Sequence, residues 1–352
     1  IRNVAGLGVL NPKTPHGYYD KEYLFHDVVV VGAGVAGLSA ALEAAEAGAN
    51  VLVVDEDQVA GGALAWGRSD GSGTDAAARR ESLLERVGRH GNIRVMTEAA
   101  VIGWYTDNWL AVVKGKRLHK LRAKSLIVAT GCWEQPIVFR NNDLPGVMLG
   151  SAAQRLINLW GVKPGTRAVV ATADDLGYGT ALDLLDAGCE IAAIVDLRED
   201  PTDGLLAAEV LRRHVPVMVG RTPYEALPSS DGKRVSGVRV AKISAPGQCA
   251  GEADTFACDL LVMSAGWFPA APLVRQAGGE MTYDEISGRT GIKGLPESVF
   301  AAGGVAGHSA LEAAAADGRN AGHRAARHAG AMPSAPEPAA PAAPVSSQMH
   351  PW

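Results

Sequence analysis

One stretch, DVVVVGAGVAGLSAALEAAEAGANVLVVDE over residues 27–56, limits what this chain can fold into more than any other. Val28 to Val31 form a β-branched run suited to a parallel strand buried on both faces, and glycines follow at once. Gly32, Gly34 and Gly37 complete G-x-G-x-x-G. The first glycine permits a tight turn, the second lets backbone approach a pyrophosphate, and the third lets helix and strand pack closely. A helix is predicted from Gly37 to Ala47, stopped by Gly48, and a second strand from Val51 to Val54. Asp55 falls at that strand's carboxyl end, near the roughly 20-residue offset at which a carboxylate accepts the ribose 2′-hydroxyl and repels a 2′-phosphate. Strand, glycines, helix, strand and acid together predict a dinucleotide cradle.

With 352 residues, 47% of them hydrophobic, the chain has material for two domains of nucleotide-binding size. A net charge of −5 gives no basic footprint for nucleic acid, and no apolar run approaches the roughly 20 residues of a membrane span. The chain begins at Ile1, so an upstream piece is expected. Cys132, Cys189, Cys249 and Cys258 lack C-x-x-C spacing, so neither a redox disulfide nor a metal site is expected, and reduced thiols in a cytoplasmic protein are the reading.

Residues 1–26 lack periodicity and are read as an arm packed on the following domain. Gln58 to Gly62 form a turn able to reach the pyrophosphate from the other side, and Asp75 to Arg89 an amphipathic helix. Short strands are predicted at 93–96, 100–105, 109–113 and 117–121, then a buried strand at 125–130 that ends in Ala129-Thr130-Gly131. From about Gly150 the pattern restarts: helix 151–160, strand 167–172, helix 177–185, strand 190–195. If Gly177 matches Gly37, then Thr172 and Asp174 stand where Gly32 and Gly34 stood. A carboxylate there opposes a phosphate, so this second cradle is expected to hold no dinucleotide. Later come a helix at 205–213, strands at 216–219, 235–244 and 258–264, a crossing at 265–269, a strand at 297–304 and a helix from Ala310 to Ala329. The fold class is therefore α/β, with two Rossmann-like domains and the second inserted in the first. The first spans 27–150 and 265–330, the second 151–264, and 331–352 is a Pro/Ala-rich linker or tail.

The residues expected to contact the cofactor are Gly32, Ala33, Gly34, Val35, Ala36, Gly37, Asp55, Glu56, Gly61, Gly62, Val101, Ala129, Thr130, Gly131, Gly303 and Gly304. In two-dinucleotide flavoproteins the last strand usually ends in Gly-Asp, whose aspartate holds the FAD ribityl chain; here Gly304 offers no carboxylate. NAD is the preferred occupant, with FAD the alternative. No catalytic set emerges. His308 follows the glycines, while His16, His26 and His119 have no acid or nucleophile at a telling spacing. Trp133 and Trp267 are read as interdomain packing and Asp143 as structural.

Several stretches together resemble the α subunit of heterotetrameric sarcosine oxidase: AGLG at 5–8, residues 27–42, ATGCWEQPIVFRNNDLPGVML at 129–149, 181–198 and 258–279. The turn from Phe139 to Leu149 and the crossing from Ser264 to Pro269 carry most of it. The resemblance implies an NAD-binding, flavoprotein-like region of a larger subunit. In that family sarcosine is oxidised at FAD on a β subunit, electrons pass to FMN near the α–β interface, and oxygen becomes hydrogen peroxide. The family's ferredoxin-like and folate-binding domains have no counterpart in these residues. Gln135 replaces an expected arginine, and Thr172 and Ala173 replace asparagines, which leaves a related opine or amino-acid oxidase subunit open. A self-sufficient FAD-dependent NAD(P)H oxidoreductase is the other reading, and a scaffold that keeps NAD only for stability a further one.

Overall fold

A computed structural model describes residues 11–15, 17–68, 75–201, 204–285 and 289–341. AGLG at 5–8, His16 and the tail beyond 341 lie outside them. The first domain starts with β1 (Asp20–Val31), α1 (Val35–Glu46), β2 (Val51–Val54), α2 (Ala76–Gly88) and β3 (Ile93–Met96). It goes on through β4 (Ala100–Tyr105), β5 (Trp109–Lys114), β6 (Arg117–Val128) and β7 (Cys132–Glu134). The second contains β8 (Val147–Leu149), α3 (Gly150–Trp160), β9 (Arg167–Thr172), α4 (Leu176–Asp186), β10 (Glu190–Asp196) and α5 (Leu205–Arg212). Its strands β11 (Val217–Val219), β12 (Arg221–Pro228), β13 (Val235–Ala245), β14 (Gln248–Ala257) and β15 (Leu260–Ser264) follow. The chain returns through β16 (Trp267–Pro269), α6 (Pro272–Gln276), the hairpin β17 (Glu280–Asp284) and β18 (Arg289–Gly294), β19 (Val299–Ala301) and α7 (Leu311–His328).

The first sheet runs β3-β2-β1-β6-β5-β4, with β19 parallel to the end of β6; the second runs β11-β10-β9-β15-β8. Val28, Val30 and Val51 pack under α1 and α7, while Val29, Val31 and Leu52 pack on the opposite face. A strand sealed on both sides needs apolar residues at every position, which is why this sequence shows a run instead of alternation.

Three expectations change. The arm read over 1–26 is strand from Asp20 onward: β1 pairs β6 from Asp20↔Arg117 through His26↔Ala123 before the valines begin. Lys21, Tyr23 and Phe25 face solvent there in strict alternation, a half-buried strand pattern masked by its aromatic residues. Second, 117–121 and the start of 125–130 form one strand, β6, because Arg122 and Ala123 continue the ladder. Third, the chain leaves the first sheet before 150, since β8 pairs β15 inside the second. Strands β12, β14, β17 and β18 carried too little hydrophobic pattern to be found.

Helices α1 and α7 meet backbone to backbone. A Cβ on Gly318 would stand 2.1 Å from the Ala36 oxygen and one on Gly322 2.3 Å from that of Ala40, glycines four apart on one helical face. Gly318→Ala is therefore expected to force the helices apart and cost about 1–3 kcal/mol in chemical denaturation, whereas Gly330→Ala, with open space around it, strains only its positive φ of 94°.

Candidate nucleotide-binding site

The glycine turn has three distinct mechanical roles. Gly32 sits at φ 107°, and a Cβ there would stand 2.2 Å from the Ala129 oxygen; one on Gly37 would stand 1.9 Å from the Gly32 oxygen. These two are packing glycines. Around Gly34, by contrast, a Cβ would meet only the Cα of Gly62, at 4.0 Å. Space is kept open there. Gly34 precedes the first turn of α1, so Val35 and Ala36 present amides with no intrahelical acceptor towards that space. α1 thus starts at Val35, two residues earlier than predicted.

Asp55 closes the turn from behind. Its carboxylate accepts the amides of Ala33 and of Asp57, the latter at 2.8 Å. Burial pushes its pKa up, against the pull of those two amides. It therefore fixes the loop through both of its oxygens, and Glu56 beside it is exposed. The Ala99 amide bonds the Asp55 oxygen and the Glu98 amide that of Asp57, both at 2.9 Å, which brings the β3–β4 turn alongside. Val101 lies just beyond, its half-buried side chain packed against the core.

On the other side Gly61 donates to the Ala33 oxygen at 2.8 Å, and a Cβ on Gly62 would be 2.8 Å from the Cα of Gly34. Ala129 donates to Val31, Thr130 Oγ1 donates to the Ala270 oxygen at 2.6 Å, and Gly131 turns away at φ 70°. Gly303 adopts φ 76°, donates to Asp317 at 2.8 Å, and lies so close to α1 that a Cβ would be 2.6 Å from that of Ala36. Gly304 faces Cys132: a Cβ there would stand 2.9 Å from its Sγ. Gly32, Ala33, Gly34, Gly37, Asp55, Gly61, Gly62 and Gly303 thus lie in mutual contact around the N-terminus of α1, while Glu56, Val101 and Gly131 are not shown to join them. Sequence reasoning missed Cys132, Asp317 and Gly318; the Gly318/Gly322 spacing was the one visible signal.

The second cradle is filled by this chain's own groups. Thr172 Oγ1 lies 2.7 Å from the Asp174 oxygen, and Gly177 leaves room for that hydroxyl. Asp174, 7% exposed, caps α4 by accepting the Leu176 amide at 3.0 Å, while its Oδ2 has no hydrogen-bond partner among the described residues. Burial first, then the charge of Glu134, raises its pKa to about 7. Asp196, at the strand end equivalent to Asp55, is taken by Arg198 at 2.8 and 3.0 Å and by the Tyr178 hydroxyl at 2.8 Å.

Among the described histidines named above, His308 lies beside the glycine turn, its amide bonding the Gly303 oxygen. His26 contacts Asn50, and His119 is buried 2.9 Å from Glu22, an acid that sequence distance had hidden. Trp133 is 56% exposed, against its expected role in packing, while Trp267 is half-buried opposite Glu134. Among the described residues no group of three or more His, Cys, Asp or Glu side chains is placed to hold a metal ion, and no helix is long and apolar enough to cross a membrane.

A first sheet that is parallel from β3 to β6 with antiparallel β5 and β4 at its edge, a parallel second sheet, a glycine turn at α1 and an insertion between β7 and β16 define an FAD/NAD(P)-binding oxidoreductase fold. The chain belongs to the pyridine nucleotide-disulphide oxidoreductase family, whose profile matches residues 26–330. Within it, the chain is homologous to the alpha subunit of sarcosine oxidase: it is 34% identical over 297 residues to that of Corynebacterium sp. (strain P-1), covering 80% of this chain but only 30% of the relative. The A subunit of opine oxidase from Agrobacterium tumefaciens (strain Ach5) is 28% identical over 337 residues, covering 84% of this chain and 64% of that one. The L-proline dehydrogenase structure from P. horikoshii superposes with a TM-score of 0.67 at 20% identity, over 92% of this chain and 59% of that one, a likeness of fold.

Proposed function

We propose that this chain is the NAD-binding region of a sarcosine-oxidase-type complex, with the amine oxidised at flavin on a β subunit, oxygen as acceptor and hydrogen peroxide formed. FAD and FMN would sit on that partner and cytoplasm would be the setting. The observation that carries the cofactor reading is the Gly304–Cys132 contact. A Cβ at 304 would stand 2.9 Å from the Cys132 sulfur, so any side chain there needs that thiol to move, and the glycine present offers no carboxylate to a ribityl chain, which NAD does not have. The amides of Val35 and Ala36 would hold the pyrophosphate, Asp55 the adenosine ribose, and the Gly61–Gly62 backbone the opposite side of the gap. Bound NAD would supply a hydride acceptor; this chain's residues bind and orient it, and no general acid or base is assigned to them. One dinucleotide per chain follows from the second cradle, where Asp174 stands in the phosphate position.

Calorimetric titration of ligand-stripped protein with NAD, NADP and FAD tests this reading. NAD is expected to bind at least about tenfold more tightly than NADP, because Asp55 repels the 2′-phosphate; equal affinities would remove the argument. Gly304→Asp alone is expected to gain no flavin, and the pair Gly304→Asp with Cys132→Gly to gain FAD binding measurable by the same titration. A second reading, a subunit of an opine or amino-acid oxidase, is favoured by the 64% of the opine oxidase relative that the chain spans. Substrate-dependent peroxide formation by the assembled complex separates the two.

A further inference from the structure

The segment Asp57–Arg68 passes alongside the glycine turn, with Gly61 bonded to Ala33 and Gly62 against Gly34. Its near end is tied to the first domain: Gly61 donates to the Ala33 oxygen at 2.8 Å, and Arg80 Nε to the Ala60 oxygen at 2.6 Å. The Asp57 backbone is held by the first domain as well, its amide donating to Asp55 at 2.8 Å and its oxygen accepting the Glu98 amide at 2.9 Å, while side chains of the second domain supply the ties that follow. Arg155 on α3 holds both oxygens of Asp57, at 3.0 and 3.2 Å, and its guanidinium lies 5.0 Å from the Trp66 ring centroid. Asn158, one turn further along α3, donates to the Trp66 oxygen at 2.7 Å. Arg68 reaches α4 and bridges Asp183 and Asp186 at 2.8 and 2.7 Å. These contacts connect residues about a hundred positions apart, and they bracket Gly61 and the short 3-10 turn Gly62–Ala65.

We propose that the second domain is a retention clamp for the nucleotide of the first cradle, acting through Arg155 and Arg68 on the segment that covers the pyrophosphate gap. The proposal rests on the dinucleotide reading of that cradle. Dissociation requires the Gly61–Gly62 backbone to lift from Gly34, because the two stretches lie too close for even a methyl group on Gly62 to fit between them. Two features suit the arginines to prevent this. A bidentate guanidinium–carboxylate pair fixes direction as well as distance, and stacking on an indole face fixes the plane of the guanidinium. A domain that has lost its own ligand thereby keeps a use: its cradle is rigidly plugged, and a rigid body makes a better clamp than a mobile one. Arg155 and Arg68 are positioning residues in this scheme, and neither needs to touch the nucleotide.

The test uses the full chain loaded with NADH, displaced by excess NAD and followed by NADH fluorescence; a preparation that carries FAD is followed by flavin fluorescence instead. Arg155→Ala and Asp57→Ala are each expected to speed release by about tenfold or more, the effect of losing one charge-assisted bidentate contact. The association rate should change little. Arg155→Lys, which keeps the charge and loses the planar fork, should fall between parent and alanine variant. The double variant should release no faster than Arg155→Ala alone, since that variant already removes both the Asp57 pair and the Trp66 stack. Thermal unfolding of the nucleotide-free variants separates retention from folding; if Arg155→Ala does not fold, Arg155→Lys and Asp57→Asn give the same comparison. Release rates within twofold of the parent in folded variants overturn the clamp while leaving the cradle reading intact. A parent that binds neither NADH nor FAD overturns both.

Discussion

Gly34→Asp is expected to abolish dinucleotide binding, by at least about a hundredfold in Kd, while the nucleotide-free protein unfolds at nearly the parent temperature. The backbone at Gly34, φ −74° and ψ −174°, is open to any residue, and a Cβ there meets only the Cα of Gly62 at 4.0 Å. The fold tolerates the side chain. The ligand does not, because the carboxylate would occupy the site at the α1 N-terminus where a pyrophosphate belongs, adding charge repulsion to lost volume. Asp174 already does this in the second cradle, capping α4 through the Leu176 amide. The neighbouring glycines give the control: Gly37→Ala would press a methyl to 1.9 Å from the Gly32 oxygen and should unfold the domain. Titration calorimetry beside thermal unfolding reads both quantities. A Gly34→Asp protein that still binds NAD at parental affinity would place the cofactor elsewhere.

The second large effect concerns pH. Asp174 ionises near pH 7 in the folded chain, against an ordinary value of 3.8, because burial penalises its charge and Glu134 adds repulsion. Burial likewise pushes Glu134 up, against hydrogen bonds from Ser151. A group whose folded pKa is raised binds its proton more tightly when folded, so its contribution is fully present below pH 4. It is lost as pH climbs through 7 and stays lost above. Each tenfold gain in proton affinity on folding corresponds to about 1.4 kcal/mol, so Asp174→Asn should flatten this fall and stabilise the protein at pH 8 by several kcal/mol at most, on the order of 2–4. Asparagine caps α4 about as well as aspartate, so the helix start is not sacrificed. Urea denaturation of both proteins at pH 5 and pH 8 measures it. Parallel pH profiles would show that Asp174 is ionised without strain.

Much of this was legible in the sequence, and for a definite reason. Backbone sealed on both faces leaves continuous runs such as Val28 to Val31, and turns that approach phosphate leave glycines at fixed spacing; both signals are local. The strap contacts were not legible, because Arg155–Asp57 and Arg68–Asp183 depend on how two domains face each other. Nor was the double role of Asp55, whose carboxylate holds the Ala33 amide through a bond spanning 22 positions. The early half of β1 was missed because Tyr23 and Phe25, 63% and 69% exposed, look like core residues in one dimension and face solvent in the fold. That Gly304 offers no carboxylate is plain in the sequence, but the closeness of the Cys132 sulfur to any Cβ at that position shows only in three dimensions.

The most direct test of the central claim is to purify the chain, release its ligand with acid, and identify it by absorbance and mass. Colourless protein releasing one NAD per chain is the expected result, with the chemistry on a partner subunit. Yellow protein releasing FAD would contradict the cofactor assignment, and two nucleotides per chain would contradict the filled second cradle as well.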